Sequence, residues 1–235
     1  KRYCHLGTGN YHTGTSRFYT DFSFLTADPD LCEDVHNVFM QLTSLGRVLP
    51  MNKLLHAPFT LKTTLLELIQ AEHDAAKNGK PAAIRAKLNS LSDQSVINAL
   101  YAASQAGVQV DLIVRGICCL RPGVPGMSEN IRVRSILGRF LEHARVYHFH
   151  SGGKNLVFIA SADWMDRNLD RRVEVAVPIT EKKYKTRVTR EALDMAIEDN
   201  VNAWVLGPDG VYQRLHPGTE PSLHLQSRLV DELSR

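Results

Sequence analysis

Segments with the 3.6-residue period of a helix alternate with segments of period two along the chain, with turn residues at most of the switches. That alternation leaves few architectures open and points to an α/β fold, a mainly parallel sheet flanked by helices. The punctuation is specific. Asp28-Pro29 supplies an N-cap and a proline at the first helical position; Val35, Val38, Phe39 and Leu42 then share a face, and Gly46 can stop the helix. Leu61, Leu65, Leu68 and Ile69 mark a helix over 60–78 that ends before Gly79. Ile84, Ala86 and Leu88 alternate as a strand, Asp93 caps a third helix ending at Gly107, and 108–114 follows as a buried strand. Residues 131–141 read as helix, whereas 2–6, 22–25, 145–150, 155–160 and 172–179 read as strands. A charged helix over 181–199, a hairpin over 204–215 and a terminal helix over 222–233 complete the pattern. The stretch 49–59, with Pro50 and Pro58 and little periodicity, is the expected domain boundary.

Composition removes several classes of function. With 43% hydrophobic and 23% charged residues the chain can build a core, so it is not a disordered segment. No apolar run approaches the roughly 18 residues of a membrane span; the best stretch, 110–120, is broken by Asp111 and Arg115. A net charge of +3 gives no global signal for nucleic acid. Four cysteines are too few for a disulfide scaffold and lack zinc-site spacing, which leads us to expect an intracellular, cytoplasmic protein, with peripheral membrane association left open. The chain begins at Lys1, already close to a strand, so a piece of a larger protein is expected.

One half-motif occurs twice. Thr8-Gly9-Asn10 is followed, eleven residues after Asn10, by Asp21; Ser161-Ala162-Asp163 is followed, eleven residues after Asp163, by Glu174. Each copy places a hydroxyl, a polar residue two positions on and an acid near the end of a strand, where open α/β sheets bind ligands. In the first copy Gly7 and Gly9 suit a backbone nest for an anion, although a tight turn uses the same residues. Arg17 and Tyr19 add an anion donor and an aromatic face for a base.

The second copy has His143-Ala144-Arg145 ahead of it, eighteen residues before Ser161. An imidazole beside an arginine suits phosphoryl chemistry, because the ring moves protons near neutrality and the guanidinium neutralises phosphate oxygens. A histidine merely closing a helix is the plainer reading. Residues 115–172 hold nine arginines and one lysine against five acids, a local charge of +5. Arginine's planar fork matches phosphate, and Arg115, at the end of an apolar strand, needs an anion or an acid to be buried there. Other features carry less. His148 and His150 share a strand face without a third metal ligand, so a partly exposed strand is expected. Cys118-Cys119 reads as small apolar filling, and no P-loop pattern occurs.

The ordered run Tyr3-Cys4-His5-Leu6-Gly7-Thr8-Gly9-Asn10-Tyr11, continuing through Arg17-Phe18-Tyr19-Thr20-Asp21 and Leu25-Thr26-Ala27-Asp28, closely resembles bacterial polyphosphate kinases. So do Leu112-Ile113-Val114-Arg115-Gly116, Asn130-Ile131-Arg132, Phe140-Leu141-Glu142-His143 and Ser161-Ala162-Asp163-Trp164-Met165. The resemblance covers nearly the whole chain, weakening after about Lys182, and implies the carboxyl-terminal part of a phosphotransferase that passes the terminal phosphate of ATP reversibly to inorganic polyphosphate. It implies two phospholipase-D-like domains, with residues 1–53 the tail of the first and 54–235 the second. By position Tyr19, Arg115 and His143 resemble the ATP-site residues, His143 as the second active-site histidine. His5, Thr8, Asn10, Arg17, Arg145, Ser161 and Asp163 are candidate phosphate contacts. The family's phosphorylated histidine, in a His-x-Lys motif, and its magnesium ligands match positions upstream of Lys1, so Mg2+ is implied with no ligand in this chain, and the fragment alone is expected to be inactive. ATP, ADP and polyphosphate are the implied partners, without nucleic acid, in a homo-oligomer of the full-length protein. Two alternatives are a phospholipase-D-type phosphodiesterase or nuclease and a non-catalytic polyphosphate-binding module. Against the former, Arg145 and Asp163 stand where those enzymes usually place lysine and asparagine.

Overall fold

The computed structural model describes residues 1–43 and 49–234. The expected helix stop at Gly46 lies outside the described residues. In chain order the elements are β1 (Cys4–Gly7), β2 (Tyr19–Thr20), β3 (Ser23–Thr26), α1 (Pro29–Thr43), β4 (Leu55–Ala57), α2 (Leu61–Lys77), β5 (Ala83–Leu88), α3 (Gln94–Gln105), β6 (Gln109–Val114) and β7 (Ile131–Ile136). There follow β8 (Leu141–Glu142), β9 (Arg145–Phe149), β10 (Leu156–Ala160), α4 (Asp166–Asp170), β11 (Glu174–Pro178), α5 (Lys182–Thr189), α6 (Met195–Glu198), β12 (Ala203–Leu206), β13 (Tyr212–Arg214) and α7 (Leu225–Leu233).

Local signals account for most of these bounds. The Asp93 carboxylate accepts the amides of Ser95 at 3.0 Å and Val96 at 3.1 Å, which starts α3 where the cap was expected. Ile84, Ala86 and Leu88 of β5 are fully buried on one face, beneath Leu61, Leu65 and Ile69 of α2 and Val96 and Leu100 of α3. The opposite face carries Ile113, Val146 and Val157, covered by Val188, Leu193 and Met195 and by Cys4, Leu6 and Leu31 of the amino-terminal unit. Between α5 and α6 the helix widens into a π turn, Arg190–Asp194, so the expected charged helix continues without a break.

Nine strands form one sheet in the order β13-β12-β7-β6-β5-β9-β10-β11-β4. Parallel pairing is confined to its centre, β5 with β6 and β6 with β7, where α3 carries the chain back between the first pair. The flanking pairings are antiparallel, because tight returns such as β9 to β10 reverse the chain. The sheet is therefore mixed. Residues 131–141, expected as helix, are instead β7, a turn and β8. Buried Ile131 and Val133 alternate with Arg132, which crosses to its register partner Asp111 at 2.7 Å. Period two prevails because each arginine finds its acceptor on another element, Arg134 on the Ala196 and Ile197 carbonyls. Apart from the main sheet, β1 pairs with β3 and β2 pairs in parallel with β8, which ties the amino-terminal unit to the segment leading into His143. Among the described residues no helix is long and apolar enough to cross a membrane.

The strand around His148 is buried rather than partly exposed, since α5 and the π turn cover it. Burial, and then the charge of Arg85, hold the His148 imidazole down at about 4, against the Asn155 Oδ1 acceptor 3.1 Å from Nε2, while His150 and Lys185 add repulsion. A histidine held below its unfolded value binds more protons when unfolded, so its stabilisation is complete above about pH 6.5 and declines toward about pH 4. Urea unfolding should therefore lose about 2 kcal/mol between roughly pH 7 and 5 relative to a His148→Gln variant. Identical slopes for the two proteins would refute this. Cys118 packs against the core as expected of apolar filling, whereas Cys119 is exposed.

Candidate active site

The two half-motifs adopt the same geometry. Thr8 Oγ1 donates to Asp21 Oδ1 at 2.6 Å and accepts from the Phe22 amide at 3.0 Å. Ser161 Oγ donates to Glu174 Oε2 at 2.5 Å and accepts from the Val175 amide at 3.1 Å. The backbone repeats too: the amides of Thr8 and Ser161 donate to the Phe22 and Val175 carbonyls, each at 3.0 Å. Both hydroxyls, expected to face phosphate, instead face and orient carboxylates. Gly9 serves this arrangement by its lack of a side chain, since a Cβ there would stand 2.6 Å from Asp21 Cγ.

Asp21 then reaches His143. Its oxygens lie 2.9 and 3.1 Å from His143 Nδ1, while Arg145 Nη1 lies 3.0 Å from Nε2. Nη1 also stands 3.4 Å from Nδ1, so the guanidinium lies against the side of the ring, and with Nδ1–H donated to the carboxylate the Nε2 lone pair is left free in the ring plane. The ring is buried, and Tyr19 packs on it at a centroid distance of 4.7 Å. Arg145 is itself fixed by Asp163, Nη2 to Oδ2 at 3.1 Å and Nε to Oδ1 at 3.3 Å, and donates to the Thr8 carbonyl at 3.2 Å. His143, Arg145, Asp163, Tyr19, Thr8 and Asp21 therefore form one cluster drawn from both halves of the chain.

Arg115 stands at the end of β6 with its Nε on Asn89 Oδ1, and no carboxylate lies within ion-pair distance of it among the described residues. Burial and the like charge of Arg145 hold its pKa down, against attraction from Asp163 and the Tyr19 hydroxyl. Two guanidiniums share the neighbourhood of one acid, which leaves positive charge for an anion to neutralise. Asn89 organises this corner. Its side-chain amide donates to the His143 carbonyl at 3.0 Å and its backbone amide to Asp163 Oδ1 at 2.6 Å. The sequence reading missed Asn89, although an Asn-Ser pair closing an apolar strand is a legible signal.

Other expected residues lie outside this cluster. His5 Nδ1 bonds the Tyr11 hydroxyl. Asn10 and Arg17 are exposed, the latter on the rim of a cavity of about 680 Å3 beside β2 and β8. Tyr19, Asp21 and Tyr184 also line that cavity, but Arg115, Arg145 and Asp163 do not, so it is separate from the cationic corner. For a metal, Asp93, Asp166 and Asp170 approach one another, yet the Lys62 ammonium already sits 2.8 Å from Asp93 and 2.6 Å from Asp170. The acids of the histidine cluster are committed to His143, Thr8, Arg145 and Asn89, so that cluster does not fit a divalent cation.

Comparison with known proteins gives a consistent set of relatives. A family model described as polyphosphate kinase C-terminal domain 2 matches residues 54–226, and one described as polyphosphate kinase C-terminal domain 1 matches residues 1–48. A polyphosphate kinase of Pseudomonas aeruginosa is 57% identical over 235 residues, all of this chain and 34% of the relative. One from Burkholderia cenocepacia is 60% identical over 218 residues, 93% of this chain and 32% of the relative. The crystal structure of polyphosphate kinase from Porphyromonas gingivalis superposes with a TM-score of 0.94 at 37% identity, over 99% of this chain and 36% of that one. The chain thus spans about a third of the length of the curated relatives it matches.

Proposed function

The chain belongs to the polyphosphate kinase family, and from that premise we propose that it supplies the ATP-facing, phosphate-lined wall of a site that passes the terminal phosphate of ATP reversibly to inorganic polyphosphate. One observation carries the reading: His143, fixed by Asp21, meets Arg145, and the neighbouring Arg115, which feels the charge of Arg145, has no acid of its own among the described residues. Arg115 and Arg145 hold phosphate oxygens, and Tyr19 offers its ring to the adenine. His143 Nε2, once protonated, gives up its contact with Arg145 and donates to the same phosphate oxygen that Arg145 grips. The phosphohistidine is formed on a residue matching a position upstream of Lys1. Magnesium, when bound, would screen the phosphate charges, and its ligands are expected upstream as well. Residues 1–53 complete a first phospholipase-D-like domain and 54–235 form the second, within a cytoplasmic homo-oligomer.

The Arg145–Asp163 pair bears on the rival phosphodiesterase reading. Both departures from the pattern of those enzymes fall on these two residues, and the two bond each other. An exchange of lysine and asparagine for a paired arginine and aspartate is a coordinated change of site.

Two measurements test the proposal. This chain alone, given ATP and magnesium, should make no polyphosphate, because no covalent phosphohistidine is available to it; turnover near that of the longer relatives would overturn the two-histidine scheme. In the native gene product that carries the chain, Tyr19→Ala should weaken adenine nucleotides by about 0.5–1.5 kcal/mol beyond lost contact area and leave polyphosphate binding nearly intact. Equal losses for both ligands would contradict the stacking role.

A further inference from the structure

The segment that delivers His143 is fastened from the far end of the chain. Gln226, in the first turn of α7 and 3% exposed, makes both halves of a backbone-like pair with Phe140. Its Oε1 accepts the Phe140 amide at 2.9 Å, and its Nε2 donates to the Phe140 carbonyl at 2.8 Å. Nε2 also donates to Glu142 Oε1 at 2.6 Å. The other oxygen of Glu142 takes the Lys87 ammonium of β5 and the Thr20 hydroxyl, the latter at 3.2 Å. Thr20 in turn accepts the His143 amide at 3.3 Å. A buried carboxylate is retained here because both of its oxygens meet donors, one of them the Lys87 ammonium.

A separate observation points to the same contact. A Cβ on Gly138 would stand 2.8 Å from Gln226 Cδ, and the φ of Gly138 is not positive, so the glycine is there to leave room for the carboxamide rather than to make a turn. The loop and the helix are shaped to each other across 86 positions of sequence.

We propose that Gln226 is a positioning residue: with Gly138, Glu142 and Lys87 it forms a latch through which α7 holds the end of β8 so that His143 meets Asp21 and Arg145. The catalytic consequence rests on the proposed role of His143, whereas the latch itself does not. Gln226→Met keeps the volume and removes both amide groups. Gly138→Ala attacks the same contact from the loop with Gln226 intact.

In the native gene product each variant should lower kcat about 10–100-fold, as loss of outer supporting contacts does elsewhere, with the KM for ATP changed less than about threefold. The double variant should lose little more than either single one, because both open the same contact. Hydrogen exchange across residues 137–146 should quicken by about tenfold, while Ile69→Val, on the opposite face of the sheet, leaves both kcat and that exchange unchanged. Unchanged exchange at 137–146 in a folded Gln226→Met or Gly138→Ala protein would overturn the latch, and additive losses would separate the two residues and overturn it too. Faster exchange with undiminished kcat would uphold the latch and overturn the role assigned to His143 instead.

Discussion

Replacing His143 by alanine in the native gene product lowers turnover by about 10²–10⁴-fold, the contribution usual for a positioned proton donor, while ATP affinity falls much less. That factor corresponds to about 3–5 kcal/mol of transition-state stabilisation. The expectation follows from the surroundings of the ring. Asp21 holds Nδ1, Tyr19 packs on the ring, and the Arg145 guanidinium lies beside it, 3.0 Å from Nε2. In the proposed site, ground-state binding is shared among Arg115, Arg145 and Tyr19, so the loss should appear in kcat rather than in KM. His143→Gln separates two roles, because glutamine hydrogen-bonds phosphate but carries no titrating proton. Nearly full turnover of that variant across about pH 6 to 8 would make His143 a binding residue only.

Asp21→Asn should be almost as damaging, with a loss of about 10²–10⁴-fold in kcat. An asparagine amide can donate to Nδ1, which reverses the tautomer and puts the proton on Nε2 in the resting site. Gly9→Ala tests the same contact from the opposite side, since its Cβ would displace the Asp21 carboxylate. It should reproduce the kinetic signature of Asp21→Asn with Asp21 still present. A fall in KM-dependent terms alone, with kcat preserved in both variants, would show that Asp21 supports binding and not the tautomer.

Glu174 is the counterpart of Asp21 in the second half-motif, bonded by its own serine and by Asn168 at 2.8 Å. Where Asp21 meets His143, Glu174 meets no histidine among the described residues. That asymmetry agrees with a second imidazole supplied from a position upstream of Lys1.

Much of this protein was legible along the chain, because its signals act between near neighbours. Asp93 starts α3 through amides two and three residues away, β5 declares itself by alternation, and the half-motif joins hydroxyl to acid across an antiparallel strand pair whose length is set locally. The clustering of arginine over 115–172 likewise gives the expectation of an anion site from composition alone. The misreading of 131–141 marks the limit of such signals. Ile131, Arg132, Val133 and Arg134 alternate with period two, but so short a run does not separate strand from helix until Asp111 and the carbonyls of Ala196 and Ile197 are brought beside the arginines. The same limit hid Asn89, the partnership of Asp21 with His143 across 122 positions, and the grip of Gln226 on Phe140. Period and capping depend on the chemistry of adjacent residues, and so the sequence alone determined where most helices and strands form and how each half-motif spaces its hydroxyl from its acid. Which donor meets which acceptor depends on how the sheet orders its strands and on how closely a glycine lets two segments approach, and only the tertiary structure decided that.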